Sequence, residues 1–578
     1  MKTFVLRAAV VVVRAAAAII GLFVRRRDGI ALISCQGDEP SQDILDLAAE
    51  IGRTLGIRES LGIQGASGRH GVEVAKEAQG ASGRLERPGE RGRLGTQGGA
   101  GGAQLVVIAG LMERSAGGAF RFAGKLLLML RRIAAARVVV VDAYCPAVSI
   151  PKKRQGQKVV QIWHAPEAIK KFSLQILDTP AGYAGDTAEI LCMHRGYDYI
   201  LCPADATRPF FEEAFGYPGD VFVKYGLPSL DRIGLMKRPA PGEEESPERA
   251  AARARIYRRY PELEGYGWGG GKAGSSHGME AGPGSGEAGS DGMEGSHGSR
   301  EAGSDVMEAG PGSGKAGSSH GMEAGCRDES VSAAISGRPL TVVYAPTFRD
   351  GAAADADGLA KAFAREALMK EGMRQGLDQH PFEDAIESEV IGGDSPAQHD
   401  GAQAAFEDAI GSGVIGEAWQ GVTLVIKPHP REATGGKVPD AADGVLAETD
   451  GNKFRVFPDA EFPLTDWYSA ADIIITDYSG VAVDAAAAGV ASYYYIYDID
   501  DYAARRGINI DLRNEAVGKY AFTGAETLVR QVRLDFSGSA PAYDYKALAA
   551  FAGKYLEVPL TGNTKKLAMF ISGVGDNY

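Results

Sequence analysis

Short continuous runs of Val, Ile and Leu recur along most of this chain, and between several of them lie stretches with helical apolar spacing. The segment GIALISC (29–35) predicts a buried strand, and SQDILDLAAEIGRTL (41–55) predicts a helix capped by Ser41. Further strands are predicted over AQLVVIAG (103–110), RVVVVDAY (137–144), QKVVQIWH (157–164), YDYILCP (197–203) and DVFVKYGLP (220–228), with a helix over FRFAGKLLLMLRRIAAA (120–136). The pattern restarts after SPERAAARARIYRRY (246–260), a helix with Ser246 at its cap and Pro247 at its first position. Strands then follow over LTVVYAPTF (340–348), VTLVIKPHP (422–430), KFRVFP (453–458), DIIITDYS (472–479) and ASYYYIYD (491–498). Strands apolar on both faces belong to parallel sheets covered by helices on both sides. The expected fold is therefore α/β, two doubly wound Rossmann-like domains facing a cleft that holds the ligand at the carboxyl ends of the strands.

Three tracts break the pattern. Residues 62–103 are rich in Gly, Arg and Gln and repeat QGASGR. Residues 264–337 carry KAGSSHGMEAG twice, and 378–418 carry FEDAI twice. Such composition does not bury enough apolar surface to offset the entropy of ordering, so all three read as disordered low-complexity insertions. The predicted organisation is 1–27 as a membrane-associating helix, 28–235 as the first domain and 236–578 as the second.

The first 27 residues, MKTFVLRAAVVVVRAAAAIIGLFVRRR, are apolar but interrupted. At about 100° per residue, Arg7, Arg14 and Arg25 fall on one stripe of the helix, and Arg25, Arg26 and Arg27 close it. An in-plane helix on an anionic inner leaflet fits this better than a bilayer span, since Arg14 sits in the middle of the apolar run. The expected location is peripheral, on the cytoplasmic face of the membrane.

A net charge of −13 argues against a nucleic-acid partner. The five cysteines are scattered without C-x-x-C spacing, which reads as a reducing compartment without a zinc site. Of nine histidines, only His164, His194 and His429 lie in foldable sequence. His164 and His429 each end a predicted strand, one in each half. His164 is a candidate base, with Trp163, Lys170 and Lys171 beside it as candidates for acceptor binding; His194 reads as structural or as part of the rim.

The second half supplies the candidate donor site. In IKPHPRE (426–432), prolines flank His429 and Arg431 follows, a cationic pair able to share the charge of a diphosphate. In IIITDYSGVAVDAAAAG (473–489), a strand ends at Asp477 and a helix begins after Tyr478, Ser479 and Gly480. The helix amides and the Ser479 hydroxyl read as a phosphate seat, with ordinary capping as the plain alternative. YAPTFRDG (344–351) adds Thr347 and Arg349, the latter suited to a phosphate or a carboxylate. No cluster of metal ligands stands out.

Taken in order, VVQIWHAPEAIKKF, VKYGLPSLD, VVYAPTFRD, LVIKPHP and AADIIITDYSGVAVDAAAAGVASYYYIYDIDDYAARRG resemble the CDP-glycerol glycerophosphotransferase family of teichoic acid biosynthesis. The resemblance implies a GT-B fold, with CDP-glycerol as donor substrate on the carboxy-terminal half and a lipid-linked polyol-phosphate acceptor on the amino-terminal half. It places the family's proposed general base on His164 and its H-P histidine on His429. The family's D-Y-S-S segment falls on Asp477, Tyr478, Ser479 and Gly480, and its helix Asp falls on Asp484. Ala165 stands where the family has Gly, and Gly480 stands where it has a second Ser. These departures bear on acceptor identity more than on donor chemistry. CDP-ribitol or a nucleotide sugar as donor, or a catalytically impaired membrane-bound scaffold, are the alternatives.

Overall fold

Sequence runs such as Val138–Val141 and Ile473–Ile475 have no polar face, so they reach low energy only in the middle of a sheet covered on both sides. The computed structural model places them there, each such fully buried side chain contributing roughly 1.5–3 kcal/mol. It describes residues 2–56, 73–77, 104–110, 116–165, 168–240, 242–266, 339–349, 354–368, 421–429, 444–449, 452–536 and 543–574.

The first sheet contains β1 (Gly29–Ser34), β2 (Glu73–Glu77), β3 (Gln104–Ala109), β4 (Val138–Val141), β5 (Lys158–Gln161), β6 (Tyr199–Leu201) and β7 (Phe222–Val223). Their order is β2-β3-β1-β4-β5-β6-β7, parallel throughout except that β2 runs antiparallel on the edge. The second contains β8 (Leu340–Tyr344), β9 (Gly421–Ile426), β10 (Gly444–Thr449), β11 (Asn452–Pro458), β12 (Ile473–Thr476), β13 (Ala491–Tyr495) and β14 (Ala521–Phe522). Its order is β10-β11-β9-β8-β12-β13-β14, again with one antiparallel edge strand, β10. Both sheets reverse direction of winding at a central strand, β1 in one and β8 in the other, and it is beside such a reversal that a crevice opens at the carboxyl ends. The fold is α/β of GT-B type, with two doubly wound lobes.

Helices α1 (Lys2–Phe23), α2 (Gln42–Thr54) and α3 (Ala116–Ala135) pack around the first sheet. The Ser41 hydroxyl accepts from the Ile44 amide, the cap expected from the sequence. The Ser246 cap also forms, accepting from Arg249 N at the head of helix Pro247–Arg259.

Three expectations need correction. Within 62–103 the chain contributes the edge strand β2; 378–418, and 264–337 beyond residue 266, lie outside the described residues. Several strands stop earlier than predicted, because the apolar run continues into a buried turn rather than into more sheet. In β5 the break is Trp163, whose φ of 55° is rare for so bulky a residue and ends any extended path. The boundary between lobes also differs: helix Asn563–Gly573, expected within the second domain, packs on α2, and its Leu567, Ala568 and Ile571 join the core of the first sheet.

Candidate functional site

Each sheet has a buried aspartate immediately after the strand next to its reversal point. In the first lobe, Asp142 follows β4 and is fully buried. Its carboxylate accepts from Ser34 Oγ at 2.7 Å, Cys35 N at 2.9 Å, Gln36 Nε2 at 2.8 Å and Ser41 Oγ at 2.9 Å. Four neutral donors thus tie the ends of β1 and β4 to the head of α2.

The Asp142 main chain holds His164. Its carbonyl oxygen lies 3.1 Å from His164 Nδ1. A carbonyl only accepts, so Nδ1 carries a proton, and in the neutral form of the ring the lone pair is then at Nε2, the tautomer a general base requires. The ring is exposed, with Trp163 packed 4.3 Å away between centroids. Trp163 itself stacks on Phe172 at 5.2 Å and meets Phe215 edge-on at 5.3 Å. Trp163, expected at the acceptor, is half-buried and makes these aromatic contacts within its own lobe. Ala165 is not among the residues with positive φ, so its methyl meets no left-handed backbone requirement.

The backbones of Lys170 and Lys171, residues expected at the acceptor, join the lobes. Lys170 forms an antiparallel bridge with Ile508, and Lys171 N donates to Gly507 O at 3.1 Å. Asn509 Nδ2 lies within hydrogen-bond reach of Ala168 O at 3.1 Å and Gln175 Oε1 at 3.1 Å, and Gln175 Nε2 returns a bond to Asn509 Oδ1 at 2.9 Å. Gly507 has φ 87°, and a Cβ there would come within 2.5 Å of Lys171 Cδ, so the close approach needs glycine. The loop carrying His164 is thus latched to the second lobe one turn further on. His194 is buried in the aromatic cluster, bonded to Tyr197 OH at 3.1 Å, and burial pushes its pKa down to about 3.

In the second lobe Asp477 follows β12, also fully buried. Both its oxygens accept from Thr347 N at 3.0 Å, and Oδ2 accepts from Arg349 NH1 at 2.9 Å. Arg349 then forks onto Asp498, Nε to Oδ2 at 2.6 Å and NH2 to Oδ1 at 2.8 Å, and lies 5.0 Å over the Tyr497 ring. Burial opposes the charge on Asp498, but the Arg349 fork prevails and holds that carboxyl below the usual range. Arg349 itself is raised, its two carboxylates outweighing burial. Thr347 and Arg349 were expected to bind donor; instead both are buried in a clasp that fixes the β8 and β12 turns. Asp498, which the sequence reading passed over, is the group that turns Arg349 inward. The Tyr478 hydroxyl donates to it as well, at 3.1 Å.

The phosphate seat on helix Val481–Ala487 is also narrower than expected. Val481 N reaches Ser479 Oγ at 3.4 Å, Ala482 N donates to Ser479 O at 3.1 Å, and Val483 N to Gly480 O at 2.9 Å. These first-turn amides are committed within the turn, two of them to backbone carbonyls. The half-buried Ser479 hydroxyl keeps its proton to donate, and Asp484 is half-buried on the same helix.

His429 is half-buried and lies 5.6 Å from the Phe348 ring. The turn that carries it is anchored by Lys427, whose ammonium pairs with Asp459 at 2.7 Å inside the lobe. Burial opposes the charge on Asp459, but Lys427, with Trp467 and Tyr260, holds it below its ordinary pKa. Arg431 lies outside the described residues. Among the described residues, no three His, Cys, Asp or Glu side chains gather as a metal ion would need.

Two doubly wound lobes are joined by a latch, and each carries a histidine at the carboxyl end of its sheet. The model for CDP-Glycerol:Poly(glycerophosphate) glycerophosphotransferases matches residues 123–238 and 402–571, and the chain belongs to that family of teichoic acid phosphotransferases. It is 32% identical over 128 residues to the teichoic acid ribitol-phosphate primase of Bacillus spizizenii (strain W23), which is 22% of this chain and 33% of that protein. To the teichoic acid glycerol-phosphate primase of Bacillus subtilis (strain 168) it is 27% identical over 95 residues, 16% of this chain and 25% of that one. The aligned stretches thus span about a third or less of these relatives.

Proposed function

We propose that the chain transfers glycerol phosphate from CDP-glycerol to a membrane-linked polyol-phosphate acceptor. The acceptor hydroxyl oxygen attacks the β-phosphorus, the bond to the bridging oxygen breaks, and CMP leaves with that electron pair. The observation that carries this reading is His164: exposed at a strand end, with Nδ1 turned to the Asp142 carbonyl, an orientation that assigns Nε2 as the basic atom for the acceptor proton. His429 and the Ser479 hydroxyl are the groups assigned to the diphosphate, where they offset the charge that develops as CMP departs. Trp163, Lys170 and Lys171 support the base by holding its loop.

A second donor is favoured by one finding, the 32% identity to a ribitol-phosphate primase. Under that reading CDP-ribitol replaces CDP-glycerol with the same residues in the same roles. CMP release measured with both donors and a lipid-linked acceptor separates the two. His164→Ala is expected to lower release by about 10²–10⁴-fold; full release by that variant would defeat the assignment.

We also infer that the protein works at an anionic membrane surface through α1, lying in the plane of the interface. One side of the helix is docked on the first lobe, where Val10, Val13, Ala16 and Ile20 enter its apolar clusters. The other side leaves large apolar residues open, Leu22 at 82% and Phe23 at 84% exposure. The segment Thr3–Phe23 is long and apolar enough to cross a membrane, but docking along its length favours the in-plane position.

A further inference from the structure

A cavity of about 590 Å³ lies between α1, the end of α3 and residues 147–159. Its floor is apolar, with Leu130, Ile133, Val148 and Val159, while five cations and no carboxylate line it: Arg14, Lys152, Lys153, Arg154 and Arg195. Two of these are committed. Lys153 pairs with Asp198 at 2.7 Å, and Arg154 NH1 donates to the Val24 and Ala134 carbonyls, fastening the end of α1 to the end of α3. Arg14 is held in place by Ile150 O at 3.2 Å and Cys192 Sγ at 3.3 Å, and Lys152 and Arg195 are exposed at the rim.

The position of this cavity on the helix identifies its ligand. At about 100° per residue, the docked residues Leu6, Val10, Val13, Ala16 and Ile20 occupy one arc of α1. The open apolar residues Phe4, Val5, Val11, Val12, Ile19, Leu22 and Phe23 occupy another. Of the α1 residues that wall the cavity, Ala17 belongs to the docked arc, while Gly21, Arg14 and Ala18 lie on the flank between the two arcs. When the open arc rests among acyl chains, that flank lies at the level of the lipid phosphates.

We propose that this cavity seats the phosphate headgroup of an anionic membrane phospholipid, with Arg14, Lys152 and Arg195 around the phosphate and the acyl chains beside the open face of α1. The proposal rests on the in-plane membrane reading above, and adds to it a defined site where that reading needs only diffuse attraction.

Gly21 provides a test without a change of charge. Beyond the backbone of its own helix, a Cβ built there meets no atom within 4 Å, so Gly21→Leu extends into open space from the α1 wall of the cavity. The full chain is assayed by flotation on phosphatidylcholine vesicles with and without phosphatidylglycerol, and by calorimetry with soluble dihexanoyl phosphatidylglycerol. Gly21→Leu and the double variant Lys152→Ala/Arg195→Ala are each expected to weaken the soluble lipid by about tenfold or more, as loss of charge-assisted phosphate contacts does. Both should reduce flotation on anionic vesicles to the level seen on neutral ones and leave the neutral level unchanged. If Gly21→Leu keeps the full anionic preference and only the charge variant loses it, the attraction is diffuse and the proposal falls. It falls also if inorganic phosphate competes as well as the lipid does. Wild-type protein that floats but binds no soluble lipid overturns the headgroup site and leaves membrane attachment standing. Protein that binds the soluble lipid but floats on no vesicle does the reverse.

Discussion

The two lobes use the same device with different chemistry. Asp142 and Asp477 both follow a central strand, both are fully buried, and each ties down the turns around its sheet's reversal point. Around Asp142 the donors are two hydroxyls, an amide side chain and a backbone amide. Around Asp477 they are a backbone amide and a guanidinium shared with Asp498. Neutral donors leave the first lobe's clasp adjustable by single hydrogen bonds, and its carbonyl holds a histidine. The ion-paired clasp is costly to break at any one point, because each charge needs the other once water is excluded. The same strand-end position therefore holds a histidine in one lobe and fixes turns rigidly in the other.

The sharpest way to break this comparison is to remove the cation. Arg349→Met should destabilise the second lobe by about 3–5 kcal/mol, since it leaves Asp477 and Asp498 without their partner. Denaturant unfolding that shows a loss near zero would mean the clasp is not a buried ion-paired unit.

Acid should separate the lobes next. His194, neutral in the fold with a pKa of about 3, gains a proton on unfolding below its ordinary value, so the first lobe loses stability as pH falls from about 6.5 toward 3. Asp535, in the second lobe beneath Tyr493, is pushed up to about 6 by burial, with hydrogen bonds from Tyr493 and Gln531 opposing. It takes up its proton earlier in the fold than in the unfolded chain, so that lobe gains stability as pH falls from about 6 to 4. Each slope is about 1.4 kcal/mol per pH unit. Hydrogen exchange across pH 6.5 to 4.5 should show first-lobe amides opening first. His194→Phe should flatten one slope and Asp535→Asn the other, and a variant that leaves its own slope unchanged contradicts the assignment.

Asp142→Asn should cost less than the loss of Arg349, about 1–3 kcal/mol, because an amide of the same shape still accepts from some of the four donors. The same variant should lower CMP release more than it lowers stability if the Asp142 segment positions His164. An equal fall in folded fraction and release would reduce Asp142 to a structural role.

The smallest effect is expected at the latch. Asn509→Ala removes side-chain bonds to the His164 loop while the backbone bridge to Ile169 and Lys171 persists, so stability should fall by about 0.5–1.5 kcal/mol. A shift in KM for the acceptor without one for the donor would place the latch on the acceptor side. An equal shift in both would make it a general link between the lobes.

Much of the architecture was legible because burial on both faces leaves a direct trace in composition. Val138–Val141 and Ile473–Ile475 contain no polar residue, and the Ser41 and Ser246 caps precede helices whose spacing is plain. Edge strand β2 was missed because its partner β3 lies elsewhere in the chain and GVEVAKE has little apolar content to announce a strand; β10 was missed although its partner β11 is the next segment along the chain. Among site residues, His164 and His429 were identified from their strand-end positions. Arg349 was given two partners by the sequence, phosphate or carboxylate, and Asp498, nearly 150 residues away, decided between them. The helix amides near Ser479 looked open because sequence shows where a helix begins but not which carbonyls its first turn already uses.

By itself, the sequence determined the class of fold, the two-lobed repetition, the family and the placement of two histidines at strand ends. These follow from apolar periodicity and from motifs contiguous in the chain, which local forces express wherever the segment lies. Only the tertiary structure decided which buried carboxylate faces which donor, that the Lys170–Lys171 segment joins the lobes, that the last helix returns to the first sheet, and that a cation-lined cavity flanks α1. Those outcomes depend on groups far apart in sequence meeting where water is excluded. The strength of a charge or hydrogen bond there is set by its neighbours in space rather than its neighbours in the chain.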